Sequence, residues 1–416
     1  FSEEDIAYLR SLGLFGEEFL QYLADFRFAC DVWAVPEGTP IFPKEPIVTV
    51  RGPALQAYLV ETMVLLTVNH QSLIATKANR IVRAAEGRAV LEFGARRAHG
   101  ADAAILGARA AIIGGCAGTS CVKSAMDFGA KPSGTMAHSW VQMFPTEYDA
   151  FKKYAEMYPD NCVLLVDTYN VLRHGVPDAI KVFDEVLKPM GKRPKGVRID
   201  SGDIAYLSKK ARQMLDAAGY PDCTVCASNS LDEYIVRDLI LQGARVDSFG
   251  IGENMITAKS DPVFGGVYKL AAVKEDDGSY TPKMKLSESV EKMTIPCLKK
   301  VWRIYDEDGK AQADLITMAD EVVDTKNGIT LFDPIETWKE CTYVNSTARC
   351  ISTPIYENGK RVYTSPNLAD IRKFCKAQVG TLWDEVKRFE NPHRYYVDLS
   401  KNLWDTRSEL LKKLSK

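Results

Sequence analysis

The sequence predicts an α/β fold with a central parallel sheet of about seven strands, and two observations support this prediction. Between residues 89 and 252, short apolar runs alternate with helix-patterned stretches such as "ADAAILGARAAIIGG". This alternation is typical of parallel strands joined by crossover helices. Residues 31–52 and 266–305 show short β-like runs, the first of them punctuated by Pro and Gly, which indicates a second, β-rich part of the chain.

Seven apolar runs are the predicted strands of the central sheet. Helix-patterned segments lie between them, so each run is expected to pair with its neighbours in parallel. Seven strands are one fewer than a closed eight-stranded barrel contains. In chain order the runs are 89–94, 118–122, 131–136, 162–167, 196–200, 224–229 and 246–252.

The same patterns assign the remaining segments. Residues 1–30 predict two short helices, 54–68 and 70–86 predict two more, and 366–416 is lysine-rich and helical in pattern. We therefore expect four parts along the chain. They are an N-terminal α+β part at 1–88, an α/β barrel with the catalytic site at 89–262, a return to the β domain at 263–345 and a helical C-terminal segment at 346–416.

Composition and charge disfavour several classes of protein. Of 416 residues, 46% are apolar and 26% are charged, and the formal net charge is −2, which gives little support to nucleic-acid binding. No window of 18 apolar residues predicts a membrane span. The single C-x-x-C pair, Cys223 and Cys226, lies in a strand-like run and lacks a second ligand pair for zinc. We expect a reduced, cytoplasmic protein that binds neither nucleic acid nor membrane.

Polar residues accompany every predicted strand, and in parallel-sheet enzymes the active site lies at the carboxyl edge of the strands. One such residue alone indicates a helix cap. Polar groups at all seven runs favour a binding or catalytic site. In chain order, the candidate residues at the seven runs, with the glycines and apolar residues that accompany the polar groups, are Phe93, Gly94, Arg96 and Arg97; Gly118, Thr119 and Ser120; Thr135 and His138; Asp167, Thr168 and Tyr169; Arg198, Asp200, Ser201, Gly202 and Asp203; Ser228 and Asn229; and Gly250, Ile251 and Gly252.

The chemistry of these groups indicates a phosphorylated sugar as ligand. Arg96, Arg97 and Arg198 offer forked donors for phosphate or carboxylate. The turns "SGD" and "GIG" present backbone N–H groups that bind anions. Asp200 and Asp203 can hold ribose hydroxyls or, through water, a magnesium ion that has no dedicated protein cage. The residues alone therefore predict an enzyme that handles a phosphorylated sugar.

His138 is one of only five histidines and stands in "SGTMAHSW", after a flexible Ser-Gly-Thr turn. Residue type leaves three interpretations open: a packed core histidine, a metal ligand or a catalytic side chain. A metal site is disfavoured because no partner ligands lie near His138 in the sequence.

Five motifs, "EFGARRAHG", "SGTMAHSWV", "RIDSGD", "ASNSLDEY" and "FGIGENMITAKSDPVFGGVYKL", occur in this order. With them the chain resembles the nicotinate phosphoribosyltransferase family over essentially its whole length. The resemblance implies an irregular, incomplete α/β barrel beside an open-faced β domain, and a homodimer with shared active sites. It also implies that nicotinate and 5-phosphoribosyl 1-diphosphate give nicotinate mononucleotide and diphosphate in NAD biosynthesis. ATP hydrolysis, with Mg²⁺ held mainly by the substrate phosphates, drives that reaction.

The resemblance implies a role for each matching residue. His138 is the histidine that ATP phosphorylates, and Asp167 orients its imidazole. Phe93 stacks on the pyridine ring, and Thr135 and Arg198 lie near the nicotinate carboxylate. The groups implied for ribose and phosphates are Arg96, Arg97, Asp200, Ser201, Gly202, Asp203, Ser228, Asn229, Gly250, Gly252 and Glu253. Asp200 is also expected to be catalytic, because a carboxylate stabilises the positive charge that develops on the ribose.

Three features depart from the family pattern. The family has an N-terminal Asp-x-Tyr motif, whose tyrosine stacks on nicotinate from the neighbouring subunit, and we expect this chain to start after it. Cys121 stands where relatives usually have Asn after the Thr-Ser pair. Glu253 stands where many relatives have Thr, and an acid beside a phosphate is unfavourable unless it faces magnesium or solvent.

Three alternatives stay open. A nicotinamide phosphoribosyltransferase shares the fold and the histidine, but it carries Asp where this chain has Ser120, and a carboxylate there would repel nicotinate. A phosphate-binding barrel lyase or isomerase normally needs a Schiff-base lysine or a paired acid and base, and none of the rim positions named above is lysine. A non-catalytic homologue would have no need of intact His138, Asp167 and "RIDSGD".

Overall fold

The computed structural model describes residues 1–287, 293–336 and 338–415. The chain forms two compact units. The parallel-sheet unit comprises residues 66–266 and 366–380, and the mixed-sheet unit comprises residues 1–65, 267–365 and 381–416.

The described residues contain helices and strands in the following order. The helices are α1 (Glu3–Ser11), α2 (Glu17–Ala24), α3 (Ala54–Leu59), α4 (Glu61–Ala84), α5 (Ala101–Ile113), α6 (Val122–Phe128), α7 (His138–Gln142), α8 (Glu147–Met157), α9 (Val176–Val182), α10 (Ile204–Ala217), α11 (Glu233–Leu241), α12 (Glu253–Ile256), α13 (Leu368–Thr381) and α14 (Lys401–Leu414). One-turn helices lie at Ala95–Arg97, Pro159–Asn161, Val171–Gly175 and Phe183–Leu187. The strands are β1 (Asp31–Ala34), β2 (Val48–Arg51), β3 (Ala89–Glu92), β4 (Gly118–Thr119), β5 (Val163–Leu165), β6 (Gly196–Ile199), β7 (Thr224–Asn229), β8 (Ser248–Ile251), β9 (Ala272–Lys274), β10 (Tyr280–Pro282), β11 (Lys299–Tyr305), β12 (Ala311–Met318), β13 (Ile329–Phe332), β14 (Glu340–Tyr343), β15 (Thr347–Cys350), β16 (Thr353–Glu357), β17 (Lys360–Arg361) and β18 (Tyr396–Leu399).

The parallel-sheet unit is built on one six-stranded sheet with the order β4-β3-β8-β7-β6-β5. Every pair in this sheet is parallel; Glu92, for example, stands opposite Thr119 on one side and Ile251 on the other. Within this sheet β3 is the first strand in the sequence and β8 is the last, and the two lie side by side. The strands therefore follow one another in space as β5, β6, β7, β8, β3 and β4, which is a cyclic form of their order in the chain. The predicted α/β fold with a parallel sheet is confirmed.

The prediction of about seven strands is wrong by one, because residues 131–136 do not form a strand. They make only an isolated parallel bridge between Pro132 and Thr119. In this bridge the Thr119 N–H donates to the Lys131 carbonyl at 3.0 Å, and the Ser133 N–H donates to the Thr119 carbonyl at 2.8 Å. Because Thr119 bonds to the residues on either side of Pro132, the backbone of Pro132 faces away from β4, where its missing N–H leaves no donor for a further strand.

Apolar residues of β5, β6 and β7 pack against α8, α9 and α10 to form the main core of this unit. Cys162 and Cys223 are fully buried in it, and burial raises the pKa of each thiol to about 12. Cys226 is also buried, so the C-x-x-C pair consists of protonated core thiols, as its strand-like run predicts. Other members of this core are Phe151, Leu164, Phe183, Val197, Ile199, Leu215 and Val225.

The described residues of the mixed-sheet unit form three sheets. Their orders are β14-β13-β18-β12-β11-β15, β17-β16-β1-β2 and β10-β9. In the largest sheet β18 runs parallel to β12, whereas the other pairs are antiparallel. The fully buried Arg303 and Asp314 form an ion pair between β11 and β12, with Arg303 Nη2 at 2.7 Å from Asp314 Oδ2. This pair satisfies two charges that would otherwise be costly in the core.

The C-terminal segment is less helical than expected. Helices α13 and α14 are present. However, residues 347–361 contain the strands β15, β16 and β17, and β18 comes between the two helices in the sequence. Val397 and Leu399 of β18 are buried, so a helical assignment based on the surrounding lysines missed a short core strand. Among the described residues, no helix is both long enough and apolar enough to cross a membrane.

Candidate active site

The polar residues predicted for the site come together at the carboxyl edge of the parallel sheet. All six strands run in the same direction, so the residues that follow them lie at the same edge of the sheet. The third predicted run also contributes, because its bridge to β4 holds Thr135 and His138 near the same edge.

His138 and Asp167 form a hydrogen-bonded pair. His138 is the first residue of α7, and Asp167 follows β5. The imidazole Nε2 lies 3.1 Å from Asp167 Oδ1. The carboxylate side chain is buried, whereas 40% of the histidine side chain is exposed. A neutral imidazole that donates from Nε2 to the carboxylate carries its lone pair on Nδ1, which is the arrangement that a histidine nucleophile requires.

Asp167 is itself fixed by the turn that follows β6. Its second oxygen, Oδ2, accepts from the Ser201 hydroxyl at 2.6 Å and from the Asp200 backbone N–H at 3.1 Å. Both carboxylate oxygens are therefore engaged, one by the histidine and one by the turn. The structure places the Ser201 hydroxyl on Asp167, and the phosphate or ribose contact expected of Ser201 stays a prediction.

Arg198 is anchored on three sides. Its Nε donates to Ser228 Oγ at 2.8 Å, Nη1 donates to Thr135 Oγ1 at 2.6 Å, and Nη2 donates to Asp200 Oδ1 at 3.0 Å. Ser228 Oγ also donates to Asp200 Oδ1. The guanidinium carbon lies 5.8 Å from the centre of the Phe93 ring. This network joins the ends of β6 and β7 to the turn before α7, and it brings Thr135, Arg198, Asp200 and Phe93 together as the sequence predicted.

Phe93 packs against two glycines near the end of β8: Gly250 lies within the strand and Gly252 follows it directly. A Cβ atom on Gly250 would lie 2.5 Å from the Phe93 ring, and one on Gly252 would lie 2.9 Å from the Phe93 carbonyl oxygen. The Phe93 N–H also donates to the Ile251 carbonyl at 2.8 Å. Packing of Phe93 is thus a sufficient reason for glycine at both positions, in addition to the phosphate binding that we expected there.

Cys121 and Ser120 occupy the turn between β4 and α6. The Cys121 side chain is buried, and its backbone N–H donates to Thr119 Oγ1 at 2.9 Å. Ser120 is exposed beside it. Cys121 therefore has a structural position, and Ser120 is the member of the pair that can face a ligand.

The basic turn after β3 is more open. Arg96 and Arg97 are exposed, and Arg97 Nε lies 4.0 Å from Glu253 Oε2. Glu253 Oε1 also accepts from Ser230 Oγ at 3.1 Å and lies 3.8 Å from Lys259 Nζ. Two cations and a hydroxyl around Glu253 balance the charge that made this acid unexpected at a phosphate site.

Three further predicted residues lie in the turns at this edge. Gly202 has φ +80°, a left-handed conformation that glycine adopts freely. Asp203 caps α10, because its carboxylate accepts from the Tyr206 N–H at 2.9 Å. Asn229 has φ +138°, an unusual value for a residue with a side chain. Asp203 was predicted as a sugar ligand, and the structure shows it capping α10.

Glu92, the last residue of β3, is a feature that sequence reasoning missed. It is fully buried and accepts hydrogen bonds from Thr119 and Gly94. Its position at the end of an apolar run, directly before Phe93, is the only signal that the sequence offered.

No group of three or more His, Cys, Asp or Glu side chains among the described residues is arranged to hold a metal ion. Arg198 and Ser228 both donate to Oδ1 of Asp200, which leaves Oδ2 of that carboxylate to accept from a hydrated cation. This donor set fits a magnesium ion that keeps most of its ligands from water and substrate.

A parallel sheet with an anchored histidine and an anchored arginine at its carboxyl edge defines an α/β enzyme that acts on anionic substrates. Comparison with known proteins agrees. Family models match residues 1–69 (nicotinate phosphoribosyltransferase N-terminal domain), 89–294 (nicotinate phosphoribosyltransferase family) and 298–407 (nicotinate phosphoribosyltransferase C-terminal domain).

The chain is similar to individual relatives over most of its length. It is 42% identical to a nicotinate phosphoribosyltransferase of Bacillus subtilis, over 98% of this chain and 83% of that protein. It is 40% identical to one from Mycobacterium tuberculosis, over 94% of this chain and 77% of that protein. The crystal structure of human nicotinic acid phosphoribosyltransferase superposes with a TM-score of 0.84 and 26% identity, over 99% of this chain and 89% of that one. The chain belongs to the nicotinate phosphoribosyltransferase family.

Proposed function

We propose that this protein transfers the phosphoribosyl group of 5-phosphoribosyl 1-diphosphate to nicotinate, as the names of its relatives indicate for them. The observation that carries the proposal is the His138–Asp167 pair at the carboxyl edge of the sheet. The products are nicotinate mononucleotide and diphosphate, which places the reaction in NAD biosynthesis. Membership of this family leaves the barrel lyase or isomerase without support.

The first chemical step is phosphorylation of His138 by ATP. The lone pair on Nδ1 attacks the γ-phosphorus, a new N–P bond forms, and the bond to the bridging oxygen breaks so that ADP leaves. The phosphorylated ring carries positive charge with its Nε2–H directed at Asp167. The Asp167 carboxylate stabilises this charge, and Ser201 and the Asp200 N–H keep the carboxylate in place. Hydrolysis of the N–P bond later returns the histidine and releases phosphate.

The second step is transfer to the pyridine ring. The ring nitrogen of nicotinate attacks the anomeric carbon of the ribose while the bond to diphosphate breaks, so no general base is required. Phe93 provides an aromatic face for the pyridine, and the two N–H groups of Arg198 that bond to none of the described residues are available for its carboxylate. Asp200 stabilises the positive charge that develops on the ribose. When Mg²⁺ is bound, it neutralises charge on the departing diphosphate.

Several finer predictions belong to the same proposal. The cyclic strand order supports a sheet that curves into an incomplete barrel, with the catalytic part within residues 89–262. The family assignment supports a homodimer with shared active sites and a requirement for ATP. Arg96, Arg97, Ser228, Asn229, Gly202 and Glu253 are proposed to surround the phosphates and ribose. The cytoplasmic location stays a prediction.

The test removes the nucleophile. In His138→Ala we expect loss of ATP hydrolysis and of acid-labile protein phosphate, while slow ATP-independent transfer survives because the sugar and pyridine pockets remain. Asp167→Asn keeps the shape but weakens the stabilisation of the charged ring, so it should slow phosphorylation by about 10²-fold or more. His174→Ala, at an exposed histidine in the nearby one-turn helix, is the control. A His138→Ala protein that hydrolyses ATP at the normal rate would show that the nucleophile is elsewhere.

A further inference from the structure

The carboxylate of Glu92 lies between two loops of the proposed pyridine pocket. One oxygen, Oε1, accepts from the Gly94 N–H, and the other, Oε2, accepts from the Thr119 hydroxyl at 2.6 Å. Thr119 in turn accepts from the Cys121 N–H at 2.9 Å. The Ser120 N–H donates to the Glu92 backbone carbonyl at 2.8 Å. One side chain thus connects the loop that begins at Phe93 with the loop that begins at Ser120.

Both links are out of water. Glu92 and Thr119 are fully buried, and they are register neighbours on the adjacent strands β3 and β4. Burial raises the pKa of the Glu92 carboxyl, and the hydrogen bonds from Thr119 and Gly94 act in the opposite direction. A buried carboxylate without such bonds is costly, and natural cores rarely retain one unless it has a specific purpose.

The local backbone is shaped around this carboxylate. A Cβ atom on Gly94 would lie 2.8 Å from Glu92 Oε1 and 2.6 Å from Cβ of Ile256. Glycine therefore allows the N–H to approach the carboxylate, and Phe93, the residue before Gly94, packs against Gly250. If the link to Gly94 is lost, the backbone directly beside Phe93 loses its fixed position.

We propose that Glu92 is a positioning residue of the pyridine pocket, holding Phe93 and Ser120 in the relative arrangement in which both face one nicotinate. The inference rests on the proposed function, since it assigns these two residues to the pyridine. Glu92 does not touch the ligand, and it acts through the loops on either side. Its side chain bonds to Gly94 and Thr119, whereas His138 and Asp167 bond to each other and to the turn after β6. We therefore expect the phosphorylation of His138 not to depend on it.

Two variants separate this role from general stability. In Glu92→Met the side chain keeps its length but loses both acceptor oxygens, so the links to Gly94 and Thr119 are both lost. Thr119→Val removes only the hydroxyl and keeps the shape of the side chain. We expect each variant to raise the KM for nicotinate by about tenfold and to leave the single-turnover rate of His138 phosphorylation by ATP unchanged. The double variant should be no worse than Glu92→Met alone, because Glu92→Met already breaks the link that Thr119→Val removes.

Ser208→Ala is the matched control. Ser208 is a fully buried serine of the same unit whose hydroxyl also donates and accepts, to the Ala205 carbonyl at 3.3 Å and from the Arg245 N–H at 3.1 Å. This variant should melt at a lower temperature without a change in the KM for nicotinate.

Two results would overturn the inference. One is a normal KM for nicotinate in both Glu92→Met and Thr119→Val. The other is a parallel loss of transfer and His138 phosphorylation, as a purely structural defect would give. If the unmodified protein shows no transfer at all, the proposed function fails instead, and the two failures are therefore distinguishable.

Discussion

Arg198 illustrates how one residue is prepared for a charged ligand. A guanidinium has five N–H donors, and three of them are used by Thr135, Asp200 and Ser228. These bonds fix the plane of the group before a ligand arrives, so little side-chain entropy is lost on binding. The two remaining donors are suited to one carboxylate.

Arg198→Lys tests whether this residue distinguishes nicotinate from nicotinamide. A lysine is a point charge that cannot replace the fork, and its shorter reach leaves some of the three partners unsatisfied. We expect the KM for nicotinate to rise roughly tenfold to a hundredfold, and the KM for nicotinamide to change much less. Steady-state rates with both pyridines measure the difference, with Arg173→Lys at an exposed arginine as the control. Equal losses for the two pyridines would mean that Arg198 does not contact the carboxylate, and would reopen the nicotinamide alternative.

At the scale of helices and strands, the sequence predicted what depends on local pattern. Six of the seven apolar runs are strands because each alternates with a helix and contains buried β-branched or small residues. The run at 131–136 and strand β18 were assigned wrongly, because both outcomes depend on partners distant in sequence. Pro132 forms an isolated bridge with Thr119, and β18 forms a parallel pair with β12.

The candidate site was likewise predicted only where a motif or a local pattern was sufficient. The family motifs contain Phe93, Thr135, His138 and Arg198, the resemblance added Asp167, and the structure brings these residues together. The hydrogen-bonding purpose of Ser201 and Glu92 could not be read from the chain, because their partners follow or lie on other strands. Polar residues after strands all resemble one another in sequence, whether they bind a ligand, cap a helix or hold a neighbour.

Asp203 provides a test at the element scale, since it caps α10 and was predicted to bind the sugar. Asn is as good an N-cap as Asp, whereas Ala is not. We expect Asp203→Ala to lower the free energy of unfolding by about 1 kcal/mol and Asp203→Asn to leave it nearly unchanged. If the carboxylate also binds ribose or a hydrated cation, both variants will raise the KM for 5-phosphoribosyl 1-diphosphate. A normal KM in Asp203→Asn would limit this residue to capping, and urea unfolding with steady-state kinetics measures both quantities.

On the scale of the whole molecule, buried carboxyl groups make stability depend on pH. Glu147 is the first residue of α8 and only 4% exposed, and neither of its carboxylate oxygens has a hydrogen-bond partner within the part of the chain that the structure describes. Burial, together with the charges of Asp178 and Asp167, raises the pKa of Glu147 from 4.5 to about 7. The folded state therefore holds this proton more tightly than the unfolded state does.

The sign of the resulting pH dependence follows from linkage. Between pH 4.5 and about 7 the unfolded chain releases the Glu147 proton while the folded chain keeps it, so the free energy of unfolding falls as pH rises. The loss at this position approaches about 3 kcal/mol and stops growing above the folded pKa. Glu147→Gln has no proton to release and should escape this loss. We expect the urea midpoint of Glu147→Gln, relative to that of the unmodified protein, to increase as pH rises across this window. Glu156→Gln, at an exposed position of the same helix, should show no such trend, and a pH-independent difference for Glu147→Gln would mean that Glu147 titrates as it does in the unfolded chain.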